Sequence, residues 1–318
     1  MAAAAATAVF VDIPPFIKVY SDGSVTRTDH DPVPSSPHPS SSDEINFISK
    51  DVVIDASKSV TARIFSPSEP APDDDDLLPI ILYFHGGGFC IGSTRWSAYH
   101  TFLGRLSAES RSLVVSVDYR LAPEHRIPAA YEDCLDSLAW LISTSRTDEP
   151  WLRRADRSRV FLAGESAGGN IAHHVALRAR GCGGGAVKGV MVVQPYFGSE
   201  RRLQCEVGED MWMNDSFWRL SLPVGSTRDH PACDFEKAEE ISGKAEWDQF
   251  PATKVFVAGA DLLRERGVMY AEFLVRKGVD AELIMAEGEP HVYQLLSPAS
   301  DAAELLRAQM AEFVNRRV

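Results

Sequence analysis

The string Gly164-Glu165-Ser166-Ala167-Gly168 sets a hydroxyl between two glycines at the spacing of a sharp strand-to-helix turn. A turn this tight leaves no room for side chains two residues before and two after the serine, and it holds the hydroxyl strained and exposed. A serine held so is a nucleophile for acyl transfer, provided that a base takes its proton and a third group orients the base. In chains that use this turn the order is Ser, then Asp or Glu, then His. Asp261 closes the apolar run VFVAGAD, and His291 comes after a second run, AELIMA. Ser166, Asp261 and His291 are therefore the expected nucleophile, orienting acid and base.

The other candidates fit less well. Asp118 also ends an apolar run but precedes Ser166, and Asp280 lies in a turn leading into a strand rather than out of one. His173 and His174 fall on the helix behind the serine and read as packed or surface residues. His85 belongs to a glycine loop, where a structural hydrogen bond suits it better than proton transfer. His125, within YRLAPEHRIP, reads as loop-fixing, and His100 and His230 have no catalytic neighbour. Glu165, beside the nucleophile, reads as a structural pairing.

The stretch His85-Gly86-Gly87-Gly88-Phe89 brings bare backbone N–H groups toward a reacting carbonyl. Two of its glycines, with the N–H of Ala167, would make a three-donor oxyanion hole, each donor worth on the order of 10²–10³ in rate. The dipole of the helix opening near Gly168 adds to the same effect. A phosphate cradle would need a Gly-Lys-Ser/Thr that is absent. Phe89, Tyr196 and Phe197 either line an apolar pocket or belong to the core.

Elements must hold these residues together. PIILYFH (79–85), RSLVVSVDY (111–119), SRVFLAG (158–164), VKGVMVVQP (187–195) and TKVFVAG (253–259) are continuous apolar runs, the pattern of strands buried on both faces. Helical spacing occupies 97–109, 131–144, 168–180, 264–277 and about 301–316 between and after them. This alternation predicts an α/β fold with right-handed crossovers and a mostly parallel sheet, whose ligands sit at the carboxyl ends of the strands. Residues 28–44 read as a loop or strap, and Asp73–Asp76 as a solvated turn. The segment 198–250 carries Trp212, Phe217, Trp218 and Phe250 but no comparable strand, and it either caps the sheet or packs a small core of its own.

Composition bounds the rest. The 318 residues, 45% hydrophobic and 24% charged, suit one large globular domain (1–318) and exclude a disordered or collagen-like chain. A formal charge of −13 repels nucleic acid and anionic membranes. The five cysteines, Cys90, Cys134, Cys182, Cys205 and Cys233, show no zinc-site spacing and suggest free thiols in a reducing compartment. The N-terminus fails as a secretory signal, no run is long enough to span a bilayer, and a cytoplasmic monomer or weak homo-oligomer is expected.

Taken together, HGGGFCIGS (85–93), DYRLAPEHRIPAAYEDC (118–134), GESAGGNIAHH (164–174), GADLLRERG and EGEPHVY resemble the plant branch of the hormone-sensitive-lipase-like carboxylesterases of the α/β-hydrolase superfamily. FIKVYSDGSVTR (16–27) is similar to the same branch, so the resemblance covers nearly the whole chain. It implies the α/β-hydrolase fold, a cap built from about 1–45 and 198–250, and a serine carboxylesterase acting on small-molecule esters without metal or cofactor. It also implies Ser166, Asp261 and His291 as the triad, and Gly87, Gly88 and Ala167 as the oxyanion donors. The family often carries Pro where Leu262 stands and an acid where Arg266 stands. The branch includes hormone receptors without the catalytic histidine and a dehydratase with Thr at the nucleophile. The alternatives are therefore a receptor-like binder or a lyase, and the presence of both Ser166 and His291 favours hydrolysis.

Overall fold

The computed structural model describes residues 8–36, 47–68, 77–143, 148–179, 187–208, 211–240 and 247–316. The expected turn at Asp73–Asp76, Cys182 and part of the 28–44 strap lie outside them. Eleven strands among the described residues form two sheets. The large one, of eight strands, runs in the order β11-β10-β9-β8-β6-β7-β5-β4. Its expected members are β6 (Leu78–Phe84), β7 (Leu113–Asp118), β8 (Ala155–Glu165), β9 (Val187–Val193) and β10 (Thr253–Ala258), with β11 (Ala281–Ala286) at one edge. All six are parallel to their neighbours within this set. Their carboxyl ends consequently open on one side of the sheet.

Both faces of the central strands are apolar, as continuous runs require. Ile80, Leu82 and Phe84 point into one core cluster, while Ile81 and Tyr83 point into the other. Helices α1 (Ser97–Ser110), α2 (Ala129–Ser143) and α3 (Ala167–Arg178) cover the sheet, α1 on one face and α2 and α3 on the other. They are joined by α5 (Arg264–Arg276), the short α6 (Tyr293–Leu296) and α7 (Asp301–Arg316) later in the chain. No helix among the described residues is long and apolar enough to cross a membrane.

Two parts of the architecture differ from the sequence reading. β5 (Val60–Pro67) pairs antiparallel to β7, and β4 (Phe47–Asp55) pairs antiparallel to β5, extending the sheet where no strands are expected. β4 forms the sheet edge and exposes Asp51 and Val53, while β5, inside it, is buried on both faces at Ala62, Arg63, Ile64 and Phe65, so neither reads as a continuous apolar run. Arg63 of β5 is fully buried and opposes Asp51 of β4, with Nε 2.6 Å from Oδ1 and Nη2 2.9 Å from Oδ2. The N-terminal segment is also ordered. β1 (Val9–Ile13), β2 (Ile17–Tyr20) and β3 (Val25–Arg27) form a small antiparallel sheet that buries Val11, Ile13, Ile17 and Val19.

Within 198–250 the described residues form α4 (Trp212–Ser221) and short 3-10 turns at Gln204–Glu206 and Phe235–Glu240. Trp218 is fully buried and stacks on Tyr196, ring centroids 4.3 Å apart at 6°. The insertion thus joins the main core and is not a separate small one; Trp212 remains exposed.

Candidate active site

Strand β8 runs into Ser166, whose φ of 54° and ψ of −120° are strained for a residue with a side chain, and α3 starts at the next residue. Close approach explains the flanking glycines: a Cβ on Gly168 would lie 1.9 Å from the Phe84 carbonyl oxygen. The turn is pinned on both sides of the serine, with Ser166 N–H donating to the Val193 carbonyl (2.9 Å) and Tyr196 N–H donating to the Ser166 carbonyl (2.9 Å).

Asp261 and His291 follow β10 and β11 on the same side of the sheet. His291 Nε2 lies 3.1 Å from Ser166 Oγ, and Nδ1 lies 2.7 Å from Asp261 Oδ2. The other carboxylate oxygen of Asp261 accepts the Leu263 N–H at 2.8 Å. The Asp261 side chain is 2% exposed and that of His291 34%, so the acid is shielded while the base faces the opening. The three residues singled out from sequence therefore meet in one hydrogen-bonded line.

The glycine loop crosses the serine from β6. Gly87 and Gly88 have φ of 103° and 58°, and a Cβ on Gly88 would lie 2.5 Å from the Phe217 ring of α4. Among the described residues, no backbone hydrogen bond uses the N–H of Gly87, Gly88 or Ala167 as donor. Gly86 N–H instead donates to Glu165 Oε1 at 2.5 Å.

Glu165 is fully buried and does form a structural pairing, with two tyrosines and the loop backbone. Tyr83 donates to Oε2 at 2.6 Å and Tyr99 to Oε1 at 2.5 Å. The carboxyl thereby ties the glycine loop to the nucleophile strand. Burial pushes its pKa up to about 7, against the lowering effect of the bonds from Tyr83, Tyr99 and Gly86. The folded protein then holds this proton more tightly than an unfolded chain, where a glutamate titrates near 4.5. Its stabilising contribution is complete below pH 4.5 and is lost as the pH rises through about 7. That span corresponds to roughly 3 kcal/mol. Glu165→Gln should remove it: urea denaturation between pH 5 and 7.5 should show stability falling less for the variant than for the unsubstituted protein, and parallel falls would refute the assignment.

His85, His173 and His174 have packing roles. His85 is buried, stacks on Tyr119 (4.3 Å, 13°) and sets Nδ1 2.8 Å from the Gly86 carbonyl oxygen. Burial drives the pKa of His173 down to about 3 and that of His174 well below its ordinary value, so both are neutral. The loop holding His125 is fixed instead by Arg126, which donates to the Arg219 and Leu222 carbonyls at 2.9 and 2.6 Å; the His125 side chain is exposed. Phe89 and Tyr196 are buried and pack against Trp218. Phe197 packs deeper, against His173 and Tyr270.

Several contributors escape a reading along the chain. Tyr83 and Tyr99 carry no motif, and Gln194 looks like the end of an apolar run. Arg266 is buried and meets Glu206 through Nε and Nη2, both at 2.7 Å, so the departure from the family pattern ties the insertion to α5. Leu262 is 46% exposed beside Asp261.

Residues 81–295 match the family described as alpha/beta hydrolase fold. A probable carboxylesterase 6 of Arabidopsis thaliana is 46% identical over 229 residues, covering 68% of this chain and 66% of the relative. A tuliposide A-converting enzyme of Tulipa gesneriana, named as amyloplastic, is 37% identical over 312 residues, covering 96% of this chain and 79% of the relative. Among solved structures, an esterase of Pyrobaculum calidifontis superposes with a TM-score of 0.71 at 27% identity, covering 84% of each chain.

Proposed function

We propose that this chain, which belongs to the α/β-hydrolase fold family and is a carboxylic ester hydrolase, works through Ser166 as nucleophile, His291 as general base and Asp261 as the orienting acid. The observation that carries this reading is the imidazole of His291 spanning Ser166 Oγ and Asp261 Oδ2. With Nδ1–H donating to the carboxylate, Nε2 presents its lone pair to the serine hydroxyl. Ser166 Oγ attacks the ester carbonyl as its proton passes to Nε2. The carbonyl oxygen gathers negative charge, which the N–H groups of Gly87, Gly88 and Ala167 stabilise. The proton then goes to the departing alkoxide, the alcohol leaves, and water attacks the acyl-enzyme by the same route to release the acid and restore Ser166.

The substrates are small-molecule esters, and the −13 charge weighs against nucleic acid. The cap comprises about 1–45 and 198–250. Its support is Phe217 lying over Gly88, Arg219 placed 4.7 Å over the Phe10 ring, and Arg27 Nε bonded to the Cys90 carbonyl at 2.6 Å. A reducing, cytoplasmic setting and a monomer or weak homo-oligomer accompany this reading. The free thiols of Cys90, Cys134, Cys205 and Cys233 suit that setting, whereas the tulip relative is named as amyloplastic.

A fluorophosphonate should phosphonylate Ser166 once per chain, with fluoride leaving, and His291→Ala should slow that labelling sharply. Intact mass and peptide mapping read the outcome. A preparation that hydrolyses esters without labelling at Ser166 would overturn the proposal, as would a product mass that shows elimination in place of hydrolysis.

A further inference from the structure

The carboxyl end of β9 lies between the nucleophile strand β8 and the acid strand β10, yet supplies none of the three triad residues. Gln194, its first residue beyond the strand, is 1% exposed and holds φ at 46°. Its backbone N–H donates to the Phe256 carbonyl of β10 at 2.6 Å. Its side-chain Oε1 accepts the N–H of Val292, the residue after His291, at 2.6 Å, and its Nε2 donates to Gln294 Oε1 at 3.1 Å. Val292 is itself left-handed, with φ of 53°.

These contacts form one frame. Val193 and Tyr196, on either side of Gln194, bond the two backbone groups of Ser166, while the Gln194 side chain bonds the peptide that leaves His291. The His291 loop has a second anchor before the histidine, where Ala260 N–H donates to the Glu289 carbonyl at 2.9 Å. Ser166, Gln194 and Val292 all hold a conformation that non-glycine residues keep only where their surroundings over-determine it, and such residues gather at functional sites.

We propose that Gln194 is a positioning residue, whose side-chain carbonyl fixes the loop of His291 at proton-transfer distance from Ser166. The inference rests on the reading of His291 as the base. Gln194 touches neither the imidazole nor the serine hydroxyl; it acts through the Val292 peptide. Without that acceptor the loop keeps its earlier anchor and the Asp261–His291 bond but loses the hold on the peptide directly after the histidine, and a displacement of about 1 Å at a reacting group can cost roughly 10² in rate.

The test compares three variants, with folded enzyme counted by gel filtration and circular dichroism so that kcat refers to folded protein, because a displaced His291 would itself slow fluorophosphonate labelling. Gln194→Met keeps the volume and loses the acceptor, Gln194→Asn keeps an amide that falls one methylene short, and Gln194→Glu keeps an oxygen at full reach. Met and Asn should each lower kcat on a p-nitrophenyl ester by roughly 10- to 100-fold, with KM within about twofold. Glu should stay within about fivefold of the unsubstituted enzyme. If Met does not fold, Asn decides. Unchanged kcat in Met or Asn overturns the proposal, as does a loss carried by KM or a Glu variant no better than Met. Ser166→Ala in parallel separates the two readings: normal turnover there means that the triad itself is misassigned, whereas its collapse beside a normal Gln194→Met removes this inference alone.

Discussion

Ser166→Ala is expected to lower kcat on a p-nitrophenyl ester by roughly 10⁶, because nucleophile and base act as a unit in serine hydrolases of this design. The backbone bonds that pin the turn, Ser166 N–H to Val193 and Tyr196 N–H to the Ser166 carbonyl, do not involve the side chain, so the variant keeps its fold. His291→Ala should fall as far, and the double variant no further, since removing either member already disables proton transfer. Hydrolysis above the water rate should persist at about 10³–10⁴-fold in all three, supplied by the oxyanion donors and by binding. Steady-state kinetics after removal of trace contaminating esterase reads the result. Near-normal turnover in Ser166→Ala, or losses that multiply in the double variant, would refute the triad.

The second large effect is expected from Asp261→Asn, on the order of 10⁴ in kcat. Asp261 Oδ1 accepts the Leu263 N–H at 2.8 Å, so an introduced amide keeps its carbonyl oxygen on that side and turns its NH₂ toward His291 Nδ1. Nδ1 must then accept, which moves the ring proton to Nε2 and points it at Ser166 Oγ, where a lone pair is needed. The buried acid thus sets the tautomer. KM should change little, because the Asp261 side chain is only 2% exposed and lies behind His291. A variant within about tenfold of the unsubstituted enzyme would mean that Asp261 does not orient the base.

That Ser166, Asp261 and His291 come together was legible along the chain for a physical reason. A parallel sheet brings the carboxyl ends of its strands to one side, so residues that close apolar runs gather along the same end of the sheet. Ser166, Asp261 and His291 each follow such a run, and their order excludes Asp118. The central strands β6 to β10 were legible because burial on both faces removes polar residues from them. Strands β4 and β5 were not: polar residues interrupt the edge strand β4, and β5 carries Arg63, fully buried and held by Asp51 across the pair and by the Val33 carbonyl. The small N-terminal sheet was hidden likewise, since its strands are only three to five residues long.

The support around the triad came from strand order, which no single segment encodes. Glu165 has a visible place beside Ser166, but that Tyr83 and Tyr99 donate to it depends on β6 lying next to β8 and on α1 packing over that face. Gln194 reaches Val292 because β9 lies between the nucleophile strand and the acid strand. Arg266 and Glu206 lie far apart in the chain and meet in the core, which makes an unexpected charge a tether for the insertion. The sequence by itself determined the fold class, the class of reaction and the three residues that meet at the carboxyl end of the sheet, because periodicity, close-approach glycines and residue order are local properties. Tertiary structure alone decided which buried polar groups hold those residues in place, because their partners are selected by which strands become neighbours.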